Sequence, residues 1–416
     1  QHTPKGNLKA LIKELEKKKS IRSSAFRQGS YGVEFIDSTT LDVTPLESKS
    51  ERKKELEKEE ISREQSFYPP GYLAATKFEE LGGRKNDKNF IAVVHIDGNG
   101  MGKRVEELYD KLGDDWENVR AKLKQFSKDI DDHFKEALKD TAQELGAVLM
   151  DGSLNALDRK EKEDGSVKFP LRRIITAGDD ICFVTEGRIG IECAAIFIRK
   201  LAEKENEVDG KGYCASAGVA IVHQKYPFYR AYELAEMLCS SAKKFGAAVS
   251  PDDNGREIGA IDWHIEYGEI QDSLEEIRRQ YTTNDGNRME MRPYIVVAPE
   301  AVMTGGDHSE RLYDNFKKRL LKLQRDVENY PRGKIKELRT VIRAGKKETE
   351  NYLKLDRMES LAADMGVTAD MNLDKKTSGD ADKIPLFTKQ IDGKEHASLF
   401  DAIELLDAYL SVGKEA

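Results

Sequence analysis

Two stretches of this chain fix both a fold element and the place where its acids must fall. Phe90-Ile-Ala-Val-Val-His-Ile-Asp97-Gly-Asn-Gly-Met-Gly102-Lys103 and Ile174-Ile-Thr-Ala-Gly-Asp179-Asp180-Ile-Cys-Phe-Val184 each run β-branched and apolar residues into a glycine-bearing turn, with aspartate at the junction. Apolar runs of this length, rich in Val and Ile, read as buried strands. If the two strands pair, Asp97, Asp179 and Asp180 converge on one edge of a sheet. Side chains alternate between the faces of a strand, so Asp179 and Asp180 are not expected to play equal parts.

The elements around these runs follow from periodicity. A strand is expected over residues 90–96, then a short helix. A long helix follows over 114–145, where Trp116, Val119, Leu123, Phe126, Ile130, Phe134 and Leu138 recur every three or four residues. A polar insertion at 158–167 leads to strands over 171–176 and 181–185. A helix over 189–205, a strand over 213–222 and a helix over 228–245 come next. Strand, helix, hairpin, helix, strand is the split βαβ, ferredoxin-like order, here with a long first crossover. The predicted class is α+β.

On this reading residues 89–268 form the central domain. Residues 1–88 form an irregular N-terminal region, with a helix-like start at 8–19, an almost wholly charged run at 47–60 and a short helical segment at 73–81. Residues 269–416 form a mainly helical C-terminal domain, with helices over 273–281, 310–328, 334–344, 348–364 and 399–410, one strand at 294–297 and a polar loop at 368–382. No internal repeat is present.

Composition narrows the partners. A net charge of −8 and a pI near 5.7 argue against nucleic acid as a direct ligand, since such binding rests on clustered Lys and Arg. No run of eighteen apolar residues exists and the N-terminus has no apolar signal core, so neither a membrane span nor secretion is expected. The expected location is the cytoplasm. Cys182, Cys193, Cys214 and Cys239 lie far apart in apolar segments without a C-x-x-C pair, and read as buried reduced thiols. The chain does not begin with Met, which is the expectation for a processed chain or a fragment of a longer one.

Clustered carboxylates suit divalent cations, and phosphoryl transfer asks a protein mainly to position phosphates and neutralise charge. Asp97 with Asp179, Asp180 or both would be an adequate set for Mg²⁺. The turn Gly98-Asn-Gly-Met-Gly102 can aim backbone N–H groups at a triphosphate. Lys103 at its end, or Lys243 and Lys244 later, could meet the β- and γ-phosphates. The turn is not a Walker A loop, being too short and lacking Ser or Thr after the Lys. His95 shares the Asp97 face of its strand and reads as a packed or hydrogen-bonded histidine rather than a ligand.

At these residues the chain resembles the palm domain of the polymerase-like large subunit of type III CRISPR effector complexes, and more distantly the GGDEF diguanylate cyclases. The likeness runs over residues 89 to 265. It rests on Asp97-Gly-Asn-Gly-Met-Gly102, on Ala177-Gly-Asp-Asp180, on Cys214-Ala-Ser-Ala-Gly-Val-Ala220 followed by Tyr226-Pro-Phe, and on the helix with Ala235-Glu and Ala242-Lys243. Met291-Arg-Pro-Tyr294 and residues 399–407 look like the C-terminal part of stand-alone bacterial relatives. The resemblance implies ATP as substrate, Mg²⁺ or Mn²⁺, and synthesis of a cyclic oligoadenylate or cyclic nucleotide as an antiviral second messenger. Carried over by position, Asp97 and Asp179 would hold metal with Asp180 beside them. Gly98, Asn99, Gly100, Met101 and Lys243 would contact the triphosphate, Gly178 would belong to the nucleotide-binding set, and Ser216 would lie near the nucleotide. Family palms act in face-to-face pairs, so a homodimer is expected.

The chain departs from the pattern at Ala177, which stands where relatives have the first glycine of G-G-D-D. A His-Asp nuclease motif and a cysteine-rich zinc segment, frequent in relatives, are missing from the sequence. Three readings therefore compete. The first is a Mg²⁺-dependent nucleotidyltransferase or cyclase. The second is an inactive nucleotide-binding sensor that signals to a downstream effector protein. The third is a structural subunit of a nucleoprotein complex, against which the acidic balance speaks. Three retained aspartates favour the enzyme and Ala177 favours the binder.

Overall fold

A computed structural model describes residues 35–36, 43–44, 67–75, 77–82, 89–112, 116–154, 157, 167–250, 256–267, 273–305, 308–367, 386–390 and 392–413. The expected helix at 8–19, the charged run at 47–60, most of the insertion at 158–167 and the polar loop at 368–382 lie outside these residues.

The long apolar run from Phe90 becomes a strand buried on both faces, β1 (Phe90–Gly98), near the middle of a six-stranded sheet. Its partners are β2 (Leu171–Ala177), β3 (Asp180–Glu186), β4 (Ala215–His223), β5 (Gly259–Ile265) and β6 (Tyr294–Val297), in the order β6-β5-β4-β1-β3-β2. Only β4 and β5 run parallel, and every other neighbouring pair is antiparallel. Burial on both faces explains why β1 lacks the polar alternation of a half-exposed strand.

Helices cover both faces. After β1 come α1 (Met101–Leu112) and the 35-residue α2 (Trp116–Met150), whose Phe126, Phe134, Leu138 and Leu145 are fully buried at helical spacing. Then α3 (Gly190–Ala202) follows the β2–β3 hairpin, and α4 (Phe228–Val249) joins β4 to β5. On one face α2 and α3 pack through Phe134 and Phe197, ring centroids 6.1 Å apart. Gly190 at the start of α3 lies so close to β1 that an added Cβ would stand 2.2 Å from Cβ of Ala92. On the other face α4 lies directly on β4, because a Cβ at Gly218 would stand 2.0 Å from the carbonyl oxygen of Ala235. Across the sheet Gly218 is opposite His95, whose ring meets Tyr232 of α4 edge-on at 5.4 Å. Ala92, Val94 and Ile96 therefore face α3, while His95 and Asp97 point to the α4 side.

The C-terminal part contains α5 (Leu274–Arg279), α6 (Glu300–Thr304), α7 (Tyr313–Arg325), α8 (Arg332–Ala344), α9 (Lys346–Leu355), α10 (Leu361–Asp364) and α11 (Phe400–Glu404), with a hairpin of β7 (Phe387–Lys389) and β8 (Glu395–Ala397). Two sequence segments more than a hundred residues apart meet here. Asp401 Oδ2 accepts the backbone N–H of Met291 at 2.8 Å, that of Arg292 at 2.9 Å, and the Tyr294 hydroxyl at 3.0 Å. The Arg292 guanidinium pairs with Glu404, and with Asp401 at 3.4 Å, with all three side chains excluded from solvent. Next to it Trp263 of β5 stacks on Tyr294 of β6 at 5.3 Å, which holds the last strand on the sheet.

Several expected elements take another form. Residues 73–81 are not a helix: Tyr72–Leu73 pairs in parallel with Val167–Lys168, and a 3-10 turn follows at Phe78–Glu80. The helix expected over 348–364 is broken into α9 and α10, with Arg357 between them at φ 57°. Of the helix expected over 399–410 only α11 forms. The strand β5 and the β7–β8 hairpin had no counterpart in the sequence reading.

Candidate functional site

The antiparallel register of β1 and β3 sets Asp97 directly opposite Asp180. Residues opposed in this way project from the same face with Cβ atoms only about 5 Å apart. Asp179 stands one residue earlier, in the turn that joins β2 to β3, and its carbonyl oxygen accepts the N–H of Gly98 at 3.2 Å. That turn needs Gly178, which sits at φ 65° and donates its N–H to Asp131 of α2 at 3.3 Å. All three aspartates are thus brought to one end of the sheet. Asp97 and Asp180 keep about two-fifths of their side-chain surface open to solvent.

Like charges at this end resist ionisation. Burial pushes the Asp179 carboxyl above the ordinary range, and the nearby Asp97 pushes it further. Asp180 is also raised, by burial first and with Asp97 adding to it, while His95 opposes the shift. Its Oδ1, 3.5 Å from Nδ1 of His95, has no hydrogen-bond partner among the described residues. Lys243 of α4 answers part of this charge: its Nζ lies 2.6 Å from Oδ2 of Asp97 and 3.0 Å from the carbonyl oxygen of Gly98. Among the described residues no three His, Cys, Asp or Glu side chains are grouped so as to hold a metal ion.

The turn after β1 is held by its own side chains. Asn99 is buried; its Nδ2 donates to the carbonyl of Ile258 at 2.8 Å, its Oδ1 accepts the Ser216 hydroxyl at 3.1 Å, and its N–H donates to the carbonyl of Cys214. Ser216 is opposite Asp97 on β4 but fully buried. Both residues thus brace the loop by their polar groups. Met101 is buried at the start of α1, and the first turn of that helix carries no acid, so the positive end of its dipole faces the turn with no carboxylate from its own first turn. Arg104 anchors the same helix by a two-point pair with Asp209, at 2.8 and 2.7 Å, and lies over the ring of Tyr213. Lys103 and Lys244 are exposed.

Ala177 is the last residue of β2, paired with Asp180 and exposed, with none of the positive φ that marks Gly178. A methyl group there meets no conformational penalty. The sequence reading passed over two residues. Arg256 lays its stem against Gly100 and pairs with Glu107 at 2.9 Å, and Asp131 receives the Gly178 N–H. Arg256 lies three residues before β5, so recognising that strand would have drawn attention to it. Asp131 had no such marker, being one of many acids on α2. The four cysteines are free and buried; burial lifts the Cys182 and Cys239 thiols to about 12. No described helix is long and apolar enough to cross a membrane.

Comparison with known proteins places this architecture. Residues 90–248 match the family model described as the second palm domain of Cas10/Cmr2. No curated protein matches the chain. Among solved structures the chain is similar to an apo Csm1-Csm4 cassette, at 18% identity and a TM-score of 0.34, covering 69% of this chain and 35% of that one. A Csm1-Csm4 cassette in complex with cA4 gives 18% identity and a TM-score of 0.29, with coverage of 62% and 33%. The active GGEEF domain of a diguanylate cyclase from Vibrio cholerae gives 16% and 0.21, with coverage of 38% and 78%. The chain spans about a third of the length of the cassette chains it matches. Residues 90–248, with Asp97, Asp179 and Asp180 at one end of their sheet, form a Cas10/Cmr2-like palm domain.

Proposed function

We propose that the chain is a divalent-cation-dependent nucleotidyltransferase of cyclase type, converting ATP to a cyclic oligonucleotide or cyclic nucleotide that serves as a second messenger in antiviral defence. The observation that carries this reading is the opposition of Asp97 and Asp180 on paired strands, with Asp179 in the adjoining turn. The antiparallel order β4-β1-β3-β2, with α2 and α3 on one face, supports a ferredoxin-like, split βαβ palm. The palm is proposed as residues 89–268, between an N-terminal region and a mainly helical domain at 269–416.

Carboxylate oxygens are the donors that Mg²⁺ and Mn²⁺ take, and a bound cation would have to draw these side chains together, since they are not grouped about one point in this structure. Asp179 and Asp180 are raised by burial and by the nearby Asp97, and Asp180 offers an oxygen with no hydrogen-bond partner among the described residues. Asp97, Asp179 and Asp180 would hold the ion, which would neutralise charge on the reacting phosphates. The chain's own groups do the rest. Backbone N–H groups from Gly100 to Lys103 at the start of α1 orient the triphosphate, and Lys243 and Arg256 supply positive charge around that turn. Asn99 and Ser216 keep the turn rigid, so that its donors need no reorganisation. The step is attack of a ribose hydroxyl on the α-phosphate of a second ATP, with pyrophosphate leaving. Two palms face to face, each presenting one nucleotide, would complete the site.

One observation favours the sensor reading: Lys243 already sits on Asp97, the arrangement of a site that meets phosphate with ammonium alone. Incubation with ATP and Mg²⁺ or Mn²⁺, with products resolved by anion exchange and mass spectrometry, separates the two. Cyclic product that vanishes in Asp179→Asn supports the enzyme. ATP binding without turnover under either metal supports the sensor.

A further inference from the structure

At the opposite end of β1 from the aspartates lies a cavity of about 870 Å³, between the palm and the C-terminal helices. Seven residues of strand separate Phe90 on its wall from Asp97, about 23 Å at ~3.3 Å per residue. A second cavity of about 280 Å³ shares Ile265, Tyr267, Arg339 and Arg343 with it. One wall is a single stripe of α8: Lys336, Arg339, Thr340 and Arg343 recur at intervals of three, four and seven, and all line the larger cavity. The floor is apolar, with Ile221, Ile265, Met289 and Leu406. At the mouth Tyr267 is 65% exposed, its ring edge-on to Phe90 at 6.2 Å.

The charges of this cavity do not cancel. Its acids are matched: Glu186 by Arg188 at 2.7 Å, Glu404 by the buried Arg292, and Asp407 by Lys336 and by Arg332 at 3.1 Å. Arg339 reaches Glu404 only at 3.4 Å, on a carboxylate that Arg292 already neutralises. Arg343 is exposed, and its guanidinium has no ion-pair partner among the described residues. The wall therefore carries spare positive charge beside an open aromatic ring and an apolar floor. Inorganic phosphate would use only the charge and a neutral apolar molecule only the floor.

We infer that this cleft is a second binding site, for a nucleoside phosphate: a mononucleotide or a short oligonucleotide whose base lies against Tyr267 and whose phosphate meets Arg343 and Arg339. Its size is within the range of small-ligand pockets. The site is separate from the aspartate end and does not depend on metal.

The test uses the whole chain carrying Asp179→Asn, in EDTA, which removes metal from the aspartate end; any binding left there is told apart by its indifference to substitutions in the cleft. AMP and 5′-phosphorylated diadenylate are titrated separately by calorimetry. Binding of either at one per chain is expected, and which of the two binds more tightly identifies a mononucleotide or an oligonucleotide ligand. Arg343→Glu and Tyr267→Ala, both at exposed side chains, should each weaken binding by about tenfold or more. Unchanged thermal midpoints would show that the fold is kept. No binding of either probe at millimolar concentration would overturn the inference, as would binding that both substitutions leave unaltered.

Discussion

Lys243 holds Asp97 by a 2.6 Å contact to Oδ2, while the same ammonium reaches the carbonyl oxygen of Gly98 at 3.0 Å. One cation from α4 thus ties the end of β1 to the turn that follows. Replacing it should act in opposite directions on two ligands. Lys243→Met frees Asp97, so Mn²⁺ without nucleotide binds more tightly, as read by electron paramagnetic resonance. ATP loses a phosphate partner, and turnover falls by about 10²–10³. A parallel loss of both would contradict the assignment of Lys243 to the phosphates.

Ala177→Gly is expected to change little. The residue is extended and exposed, so restoring the family's glycine relieves no strain. The rate of product formation should shift by less than about twofold, under ~0.5 kcal/mol of barrier. A rise of tenfold or more would show that the methyl group obstructs the nucleotide.

Gly218→Ala forces α4 away from β4, because no Cβ fits between the strand and the Ala235 carbonyl. Overpacking of this kind costs about 1–3 kcal/mol, measurable by urea unfolding. Since α4 also carries Lys243, the affinity for ATP should fall with it.

Arg292→Met removes the only cation that the structure sets within 4 Å of both buried carboxylates Asp401 and Glu404 among the described residues. Breaking a buried pair from one side costs about 3–5 kcal/mol. Adding Glu404→Leu to the same chain should recover part of the loss, and a strictly additive double variant would argue against coupling.

His264 is held neutral: burial lowers its pKa, with Arg292 and Arg278 adding to the effect despite Glu266. A depressed folded value means that stability is present above the unfolded value of ~6.5 and declines as pH falls through the folded one. Unfolding free energy should therefore drop on acidification from pH ~7.5 to ~5.5, and His264→Gln should flatten that slope.

The strands that hold the candidate site were legible because they are buried on both faces, which leaves an unbroken apolar signature. β1, β2 and β3 fall within two residues of their expected bounds, and the aspartates lie where the turns put them. Where tertiary contacts decide, the sequence was silent. β5 is a strand because β4 and β6 flank it, and Asp262 and His264 interrupt its apolar run. Residues 399–410 have helical spacing, yet the helix stops at Glu404, where the chain turns back to place Leu410 N–H on the carbonyl of Arg188. The roles of Asn99 and Ser216 as braces were equally hidden. They depend on Ile258 and Cys214, more than a hundred residues beyond Asn99. The segments 291–294 and 399–407 stood out in the sequence only by resemblance, and the Arg292 pairing with Asp401 and Glu404 supplies a physical reason.

The central claim is that three aspartates distant in sequence share a cation beneath a triphosphate. The most direct measurement is anomalous diffraction from crystals grown with Mn²⁺ and a non-hydrolysable ATP analogue. The account predicts manganese density within coordination distance of carboxylate oxygens of Asp97 and of Asp179 or Asp180, with the analogue's phosphates on the same ion. Nucleotide density at the start of α1 with no manganese between those carboxylates would contradict it.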